Sequence, residues 1–287
     1  MIWIVFALLT ALCESFKDVF SKKGLADIDE YVIAWALRFF ALPFLLPILF
    51  FIKIPPLGQG FWIALSISSG LNAVCTILYM KAIKQSALSL TVPLVALTPM
   101  FLLLTSPFMV GEFPDWSGVL GIVLIVLGSY VLNFNAAAQG YWAPFRALLQ
   151  EPGPKLMLIV ALLWSITANC DKIGVQNSSP LFWSLAATGC MGVTLIPIML
   201  YKSPRALQQM PRVYKKLLPI GFFCALTAIF QMLAVSLTLV AHVIAIKRTS
   251  TMLSVFWGFL IFKETGFKER LLGASIMVVG VLLISLF

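Results

Sequence analysis

The chain has 287 residues, 61% of them hydrophobic and only 11% charged, with a formal net charge of +9 and a mean hydropathy of +1.02. A soluble domain carries about a quarter charged residues, so this composition excludes an ordinary water-soluble enzyme or binding module. Apolar runs of about twenty residues recur throughout, each matched to a ~30 Å hydrocarbon core, and no strict polar–apolar alternation supports a transmembrane barrel.

The N-terminal stretch "MIWIVFALLTALCESF" has no basic leader and no small-residue cleavage site, so it reads as a retained first span rather than a signal peptide. Turn residues and charges then divide the chain into ten expected spans: 2–20, 31–52, 60–81, 86–110, 116–135, 156–174, 180–201, 215–237, 240–262 and 268–286. The longest connection, 136–155, holds "YWAPFRALLQEPGPK", read as a short interfacial helix before Pro152 and Pro154 open the sixth span. It separates a first half, 1–135, from a second, 156–287. The five cysteines all fall inside apolar spans with no CxxC spacing, so they read as small packing residues. The single histidine, His242, excludes HExxH and two-histidine metal sites. No cofactor is expected.

The basic residues sort by connection. Fifteen of the twenty Lys and Arg lie at odd-numbered connections: Lys17, Lys22, Lys23, Lys81, Lys84, Arg146, Lys155, Lys202, Arg205, Arg212, Lys215, Lys216, Lys263, Lys268 and Arg270. The even connections hold only Lys53 and Lys172, while Arg38, Lys247 and Arg248 lie within spans. The positive-inside rule then puts the odd connections in the cytoplasm and both termini outside. The charge is therefore an orientation signal in a lipid bilayer, and nucleic-acid binding is not expected.

An internal repeat runs through the chain. A shift of 152 residues aligns "GEFPDWSGVLGIVLIVLGSYVL" (111–132) with "KETGFKERLLGASIMVVGVLLI" (263–284), so that Glu112 meets Glu264, Gly121 meets Gly273 and Gly128 meets Gly280. A shift of 154 aligns "ALLTALCESFKDV" (7–19) with "ALLWSITANCDKI" (161–173), and "LPILF" (46–50) echoes "IPIML" (196–200). Five spans per half is an odd number, so the halves must be antiparallel. The expected fold is an all-α polytopic membrane protein with ten transmembrane helices in two inverted repeats. Inverted repeats that meet at the midplane are a signature of secondary transporters.

The stretch 78–132 resembles the EamA domain of the drug/metabolite transporter superfamily, as does its counterpart 247–284, "KRTSTMLSVFWGFLIFKETGFKERLLGASIMVVGVLLI". "SKKGL" after the first span and "ALRFF" in the second are also similar to that family. The resemblance implies alternating access around a central cavity lined by spans 1, 3, 4, 6, 8 and 9.

Candidate site residues follow. Lys247 and Arg248 interrupt an apolar span, where one charge costs roughly 3 kcal/mol on insertion scales. Lys247, Thr251, Ser254 and Gly258 fall on one helical stripe. A lysine with an arginine fork suits phosphate or carboxylate, and the pair resembles the phosphate-binding pair of the triose-phosphate and nucleotide-sugar branch. The bland alternative is snorkelling, or an ion pair with Asp171. Glu14, Lys17 and Asp18 cluster at i, i+3 and i+4. The Glu14-to-Lys22 spacing resembles the first helix of small multidrug resistance transporters, which implies proton coupling through Glu14. The bland reading pairs Glu14 with Lys17 or with Arg38. Asp171 and Lys172 read as an interfacial ion pair, or, at the depth of Lys247, as a mask for that lysine in the empty carrier. Tyr79, Asn72, Gln231, Thr227, Trp164 and Asn169 are polar or amphipathic residues on the cavity-lining spans, and Tyr79 meets Gln231 under the 152 shift. The glycine pairs seven apart read as helix-packing positions.

The expected function is secondary transport of a small anionic or zwitterionic metabolite. Rivals within the superfamily are a lipid-linked substrate flippase and a multidrug or amino-acid exporter. An intramembrane enzyme would need a nucleophile–base or metal constellation, and the sequence offers none.

Overall fold

In a computed structural model, residues 2–25, 27–85, 94–134, 152–204, 206–250, 252–253, 256–257 and 267–286 are described. Among them the chain is helical with no strand: α1 (Ile2–Leu25), α2 (Glu30–Phe39), α3 (Leu42–Leu45), a 3₁₀ turn η1 (Leu46–Phe50), α4 (Gly60–Gln85), α5 (Thr98–Met109), α6 (Trp116–Phe134), α7 (Pro152–Gln176), α8 (Pro180–Lys202), α9 (Ala206–Leu237), α10 (Val240–Lys247) and α11 (Phe267–Leu286). Five segments are long and apolar enough to cross a membrane, and three shorter apolar helices accompany them. The interfacial helix expected in 136–155 falls largely outside the described residues.

Local chemistry explains most boundaries. Pro152 and Pro154 sit in the first turn of α7, where missing amide protons cost nothing. Asp29 caps α2 by accepting from the Tyr31 amide at 2.9 Å, and Asp115 opens α6 by accepting from Gly118 N–H at 2.9 Å and the Ser117 hydroxyl at 2.7 Å. Those donors hold the exposed Asp115 carboxyl below its ordinary value. The second span, expected as one helix over 31–52, instead breaks after Phe39 and continues as α3 and η1, because Pro43 and Pro47 each remove a helical donor.

The expected ninth span over 240–262 breaks too. α10 ends at Lys247, and a turn covers Arg248 and Thr249 before the helix resumes at Ser250. Thr249 donates its hydroxyl to the Ile246 carbonyl at 2.7 Å, competing with the backbone for that acceptor. In the first half a turn lies at Ala96–Leu97, immediately before α5. The backbone bonds match across 152 residues. Leu97 N–H to Leu94 O recurs as Thr249 to Ile246; Met100 and Phe101 to Leu97 O recur as Met252 and Leu253 to Thr249 O. Both halves therefore carry the same helix break, with Val95–Ala96 in one and Lys247–Arg248 in the other.

The main helix contacts are α6 with α11, α4 with α7 and α1 with α9. Gly121 abuts the Gly280 carbonyl, and Gly128 abuts that of Gly273, so α6 and α11 cross antiparallel with backbones in contact. The largest core cluster wraps α10, whose Val240, Ala241 and residues 243–246 are all buried against Ala7, Ile122, Ile125, Ala168, Val235 and Met277. The helix carrying Lys247 is thus the central strut of the bundle.

A Cβ on Gly280 would lie 2.7 Å from the Gly121 carbonyl oxygen, whereas one on Gly70 meets nothing within 4 Å. Gly280→Ala should therefore destabilise the protein by about 1–3 kcal/mol through overpacking. Gly70→Ala should be neutral or stabilise by up to about 1 kcal/mol. Thermal melting of the two purified variants reads the contrast.

Candidate functional site

Two buried polar centres occupy the bundle interior. The first is built on the helix break after α10. Lys247 Nζ donates to Gln231 Oε1 of α9 at 2.8 Å and lies 3.8 Å from Glu14 Oε1 of α1. Glu14 in turn meets Lys17 Nζ at 2.7 Å, one helical turn on. Lys17 also lies 3.9 Å from Asp18, whose side chain is half exposed. Arg248 Nη2 donates to the Thr98 hydroxyl at 3.0 Å, and its guanidinium lies over the Trp164 ring, 5.6 Å from the centroid. Tyr79 packs against Trp164 in a tilted arrangement, with ring centroids 5.6 Å apart.

The geometry follows from the repeat. Thr98 begins α5, immediately after the first-half turn, so the second-half arginine reaches across to the first-half break. Thr98 donates its own proton to the Val95 carbonyl at 2.7 Å, leaving its oxygen lone pairs for Arg248. Lys247 is thus held by the neutral Gln231 and by Glu14, which it shares with Lys17, and Arg248 contacts Thr98 and the Trp164 ring. Among the described residues, Lys17, Lys247 and Arg248 gather around the carboxylates of Glu14 and Asp18. Glu14 Oε2 and Thr227 Oγ1 are buried without a hydrogen-bond partner.

The second centre lies around Asp171. Its Oδ1 accepts from the Ser68 hydroxyl of α4 at 2.9 Å and from the Trp183 indole N–H of α8 at 3.1 Å. Trp183 is fully buried and pressed flat against Gly174, where any Cβ would collide with the ring. Asn72 donates to the Ser68 carbonyl at 3.0 Å and to its hydroxyl at 3.3 Å, extending the network along α4.

Lys172, the next residue, points elsewhere. Its Nζ donates to the Val235 and Thr238 carbonyls at 2.7 and 2.8 Å and pairs with Glu112 at 3.0 Å. The other Glu112 oxygen accepts from the Val240 amide at 2.7 Å, satisfying the first turn of α10. This knot ties the α5–α6 connection, α7, the end of α9 and the start of α10.

Several sequence expectations are corrected here. Asp171 does not mask Lys247: the lysine is held by Gln231 and Glu14, while Asp171 faces Ser68 and Trp183. Asp171 and Lys172 do not pair with each other, because adjacent residues on a helix point about 100° apart. Arg38 does not reach Glu14 and instead donates towards the Cys224 sulfur at 3.9 Å. Asn72 joins the Asp171 network rather than the lysine site. Asn169 bridges helices, accepting from Ser106 at 2.8 Å and donating to Thr105 at 3.0 Å. Lys247, Arg248, Gln231, Trp164, Tyr79, Glu14, Lys17 and Asp18 do come together, and Thr251 and Ser254 lie outside the described residues. Thr98, Ser68 and Trp183 escaped notice in the sequence. Glu112 stands out there only as the repeat match of Glu264, with nothing to show that it pairs with Lys172.

Removing one partner of a buried ion pair costs about 3–5 kcal/mol because the other charge is left uncompensated. Lys172→Met should lower thermal stability on that scale. Glu112→Gln in the same chain should recover part of the loss, giving a coupling energy in a double-mutant cycle; strict additivity would contradict the knot.

Comparison with known proteins agrees with this architecture. The EamA-like transporter family matches residues 1–134 and 152–286, one match per repeat. None of the curated proteins compared matches the chain. A solved crystal structure is similar at a TM-score of 0.75 and 12% sequence identity, covering 99% of this chain and 96% of its own. At that identity the likeness concerns the fold alone. With the family matched over both halves, and with apolar helices able to span a bilayer, the chain belongs to the EamA-like transporter family and is a multi-pass membrane transporter of the drug/metabolite transporter superfamily.

Proposed function

We propose that the protein is a secondary active transporter that moves a small anionic or zwitterionic metabolite by alternating access, with Lys247 and Arg248 binding the anionic group. The observation that carries this reading is the asymmetry of the two helix breaks. The backbone turn is the same in both halves, yet only one half pays the cost of two cations there. Packing therefore does not require them, and cargo recognition is what remains.

In this reading the ten spans form inverted repeats in a bacterial inner membrane, with both termini outside as the Lys/Arg distribution favours. Glu14 acts as the resident counter-anion. At 3.8 Å from Lys247 against 2.7 Å from Lys17, it grips the inner lysine and leaves Lys247 to be taken by an incoming oxyanion. Arg248, braced by Thr98 and Trp164, offers a fixed fork at low entropic cost. Proton coupling belongs to this reading too, but Glu14 serves it poorly, since Lys17 and Lys247 already answer its charge.

Thermal-shift screening of the purified protein against phosphates, carboxylates, amino acids and lipid phosphates tests the site. The best anionic hit should lose its stabilisation in Lys247→Ala and bind at least about tenfold more weakly, a loss of roughly 1.4 kcal/mol or more. Glu14→Gln removes the resident competitor, so the same anion should bind more tightly. Unchanged binding and uptake in Lys247→Ala proteoliposomes would overturn the assignment.

A further inference from the structure

We propose that Asp171 is the site that binds and releases the coupling proton, so that proton and cargo are held at separate places in the bundle. The inference rests on the reading of the protein as a secondary active transporter, and it assigns the coupling role to a different carboxylate from Glu14.

The two intramembrane carboxylates are held in opposite ways. Glu14 has one ammonium at 2.7 Å and a second at 3.8 Å. Asp171 is 9% exposed, and both of its hydrogen bonds come from neutral donors, the Ser68 hydroxyl and the Trp183 indole. Among the described residues no cation lies within ion-pair distance of it, although Lys172 is its immediate neighbour. That lysine is saturated by Glu112 and two carbonyls. A carboxylate buried in hydrocarbon without a cation meets the cost of its charge by taking up a proton.

The surroundings supply the rest of the balance. α4 brings Ser68 and α8 brings Trp183, neither of them titratable near neutrality. From α2 comes Arg38 and from α10 Lys247, the two cations that act on Asp171 through space. α9 brings Cys224, which Arg38 faces, and Cys170 flanks Asp171 on its own helix. α5, joined to α7 through Asn169, carries no titratable residue. Asp171 therefore has neutral donors at hydrogen-bond distance and cations only farther off. That arrangement suits a group that must both load and unload.

Both donors fall on Oδ1, which leaves Oδ2 as the oxygen that takes the proton. Loading forms one O–H bond with a proton from water on one side. Unloading breaks that bond and returns the proton to water on the other. The same change reaches Lys247 electrostatically: with Asp171 protonated, the lysine loses a remote negative charge and holds an anion more strongly, which couples the two sites in the sense required for co-transport.

Infrared difference titration of the full chain in lipid nanodiscs tests this without any substrate. A carboxylic-acid C=O band, distinct from the amide bands, should appear as pH is lowered and vanish as it is raised. It should be absent in Asp171→Asn and present in Glu14→Gln. Ser68→Ala and Trp183→Phe, which keep the carboxyl group, should each raise the midpoint by about one pH unit, because each removes a hydrogen bond that favours the ionised form. A wild-type protein with no titrating band would overturn the proposal. So would a band that survives Asp171→Asn or disappears with Glu14→Gln, or a midpoint unmoved by both donor variants. Anion binding at Lys247 is read by a different measurement, so failure of either assignment leaves the other standing.

Discussion

Every charge inside this bundle is largely withdrawn from bulk water and has to be answered by protein groups, and the interior is arranged around those answers. Lys172 shows the constraint in its simplest form: three oxygen acceptors, one of them a carboxylate, converge on a single ammonium. The same carboxylate, Glu112, also satisfies the first turn of α10. One ion pair thus fixes the start of the helix whose far end carries Lys247 and Arg248. Because most of α10 is apolar and buried, with Val240, Ala241 and residues 243–246 packed in the core, Lys247 at its end and Arg248 just beyond it are delivered to the interior at a set depth. They cannot snorkel to an interface.

At that depth the two carboxylates are held differently. Glu14 lies between Lys17 and Lys247 but closer to Lys17, and Arg248 contacts the Thr98 hydroxyl and the Trp164 indole face. Asp171 represents the inverse case, a carboxylate whose hydrogen bonds come from neutral donors. Lys172, Glu14 and Asp171 are thus three arrangements of buried charge: a closed knot, a shared pair and a carboxylate held by neutral groups. In the proposed reading an oxyanion displaces Glu14 from Lys247 and a proton loads Asp171, while the knot holds its place.

Much of this was legible in the sequence. Hydropathy gave an all-helical membrane protein, five of whose described segments are long and apolar enough to cross a bilayer, and the 152-residue shift pairs Val95–Ala96 with Lys247–Arg248 at the two helix breaks. The start of α7 at Pro152 and Pro154 was legible too, whereas the break at Pro43 and Pro47 was not, since the apolar run continues through it. The break after Lys247 was hidden, because Lys, Arg, Thr and Ser all tolerate helix interiors. What ends the helix is a competing bond from the Thr249 hydroxyl to a carbonyl. Partner choice was hidden for a different reason. Asp171 and Lys172 are adjacent in sequence and similar in depth, yet rotation about the helix sends one to Ser68 and the other to Glu112. Depth along a span follows from counting residues; azimuth follows only from how the neighbouring helices pack.

The central claim is that the Lys247–Arg248 pair at the second-half break receives the anionic group of the cargo. A structure of the protein with its best-binding anion, preferably carrying a heavy atom in the acidic group, measures this directly. The account predicts the anion seated between the Lys247 ammonium and the Arg248 guanidinium, with Glu14 drawn away from Lys247 towards Lys17. An anion bound elsewhere, with the Lys247–Glu14 and Arg248–Thr98 contacts intact, would contradict it.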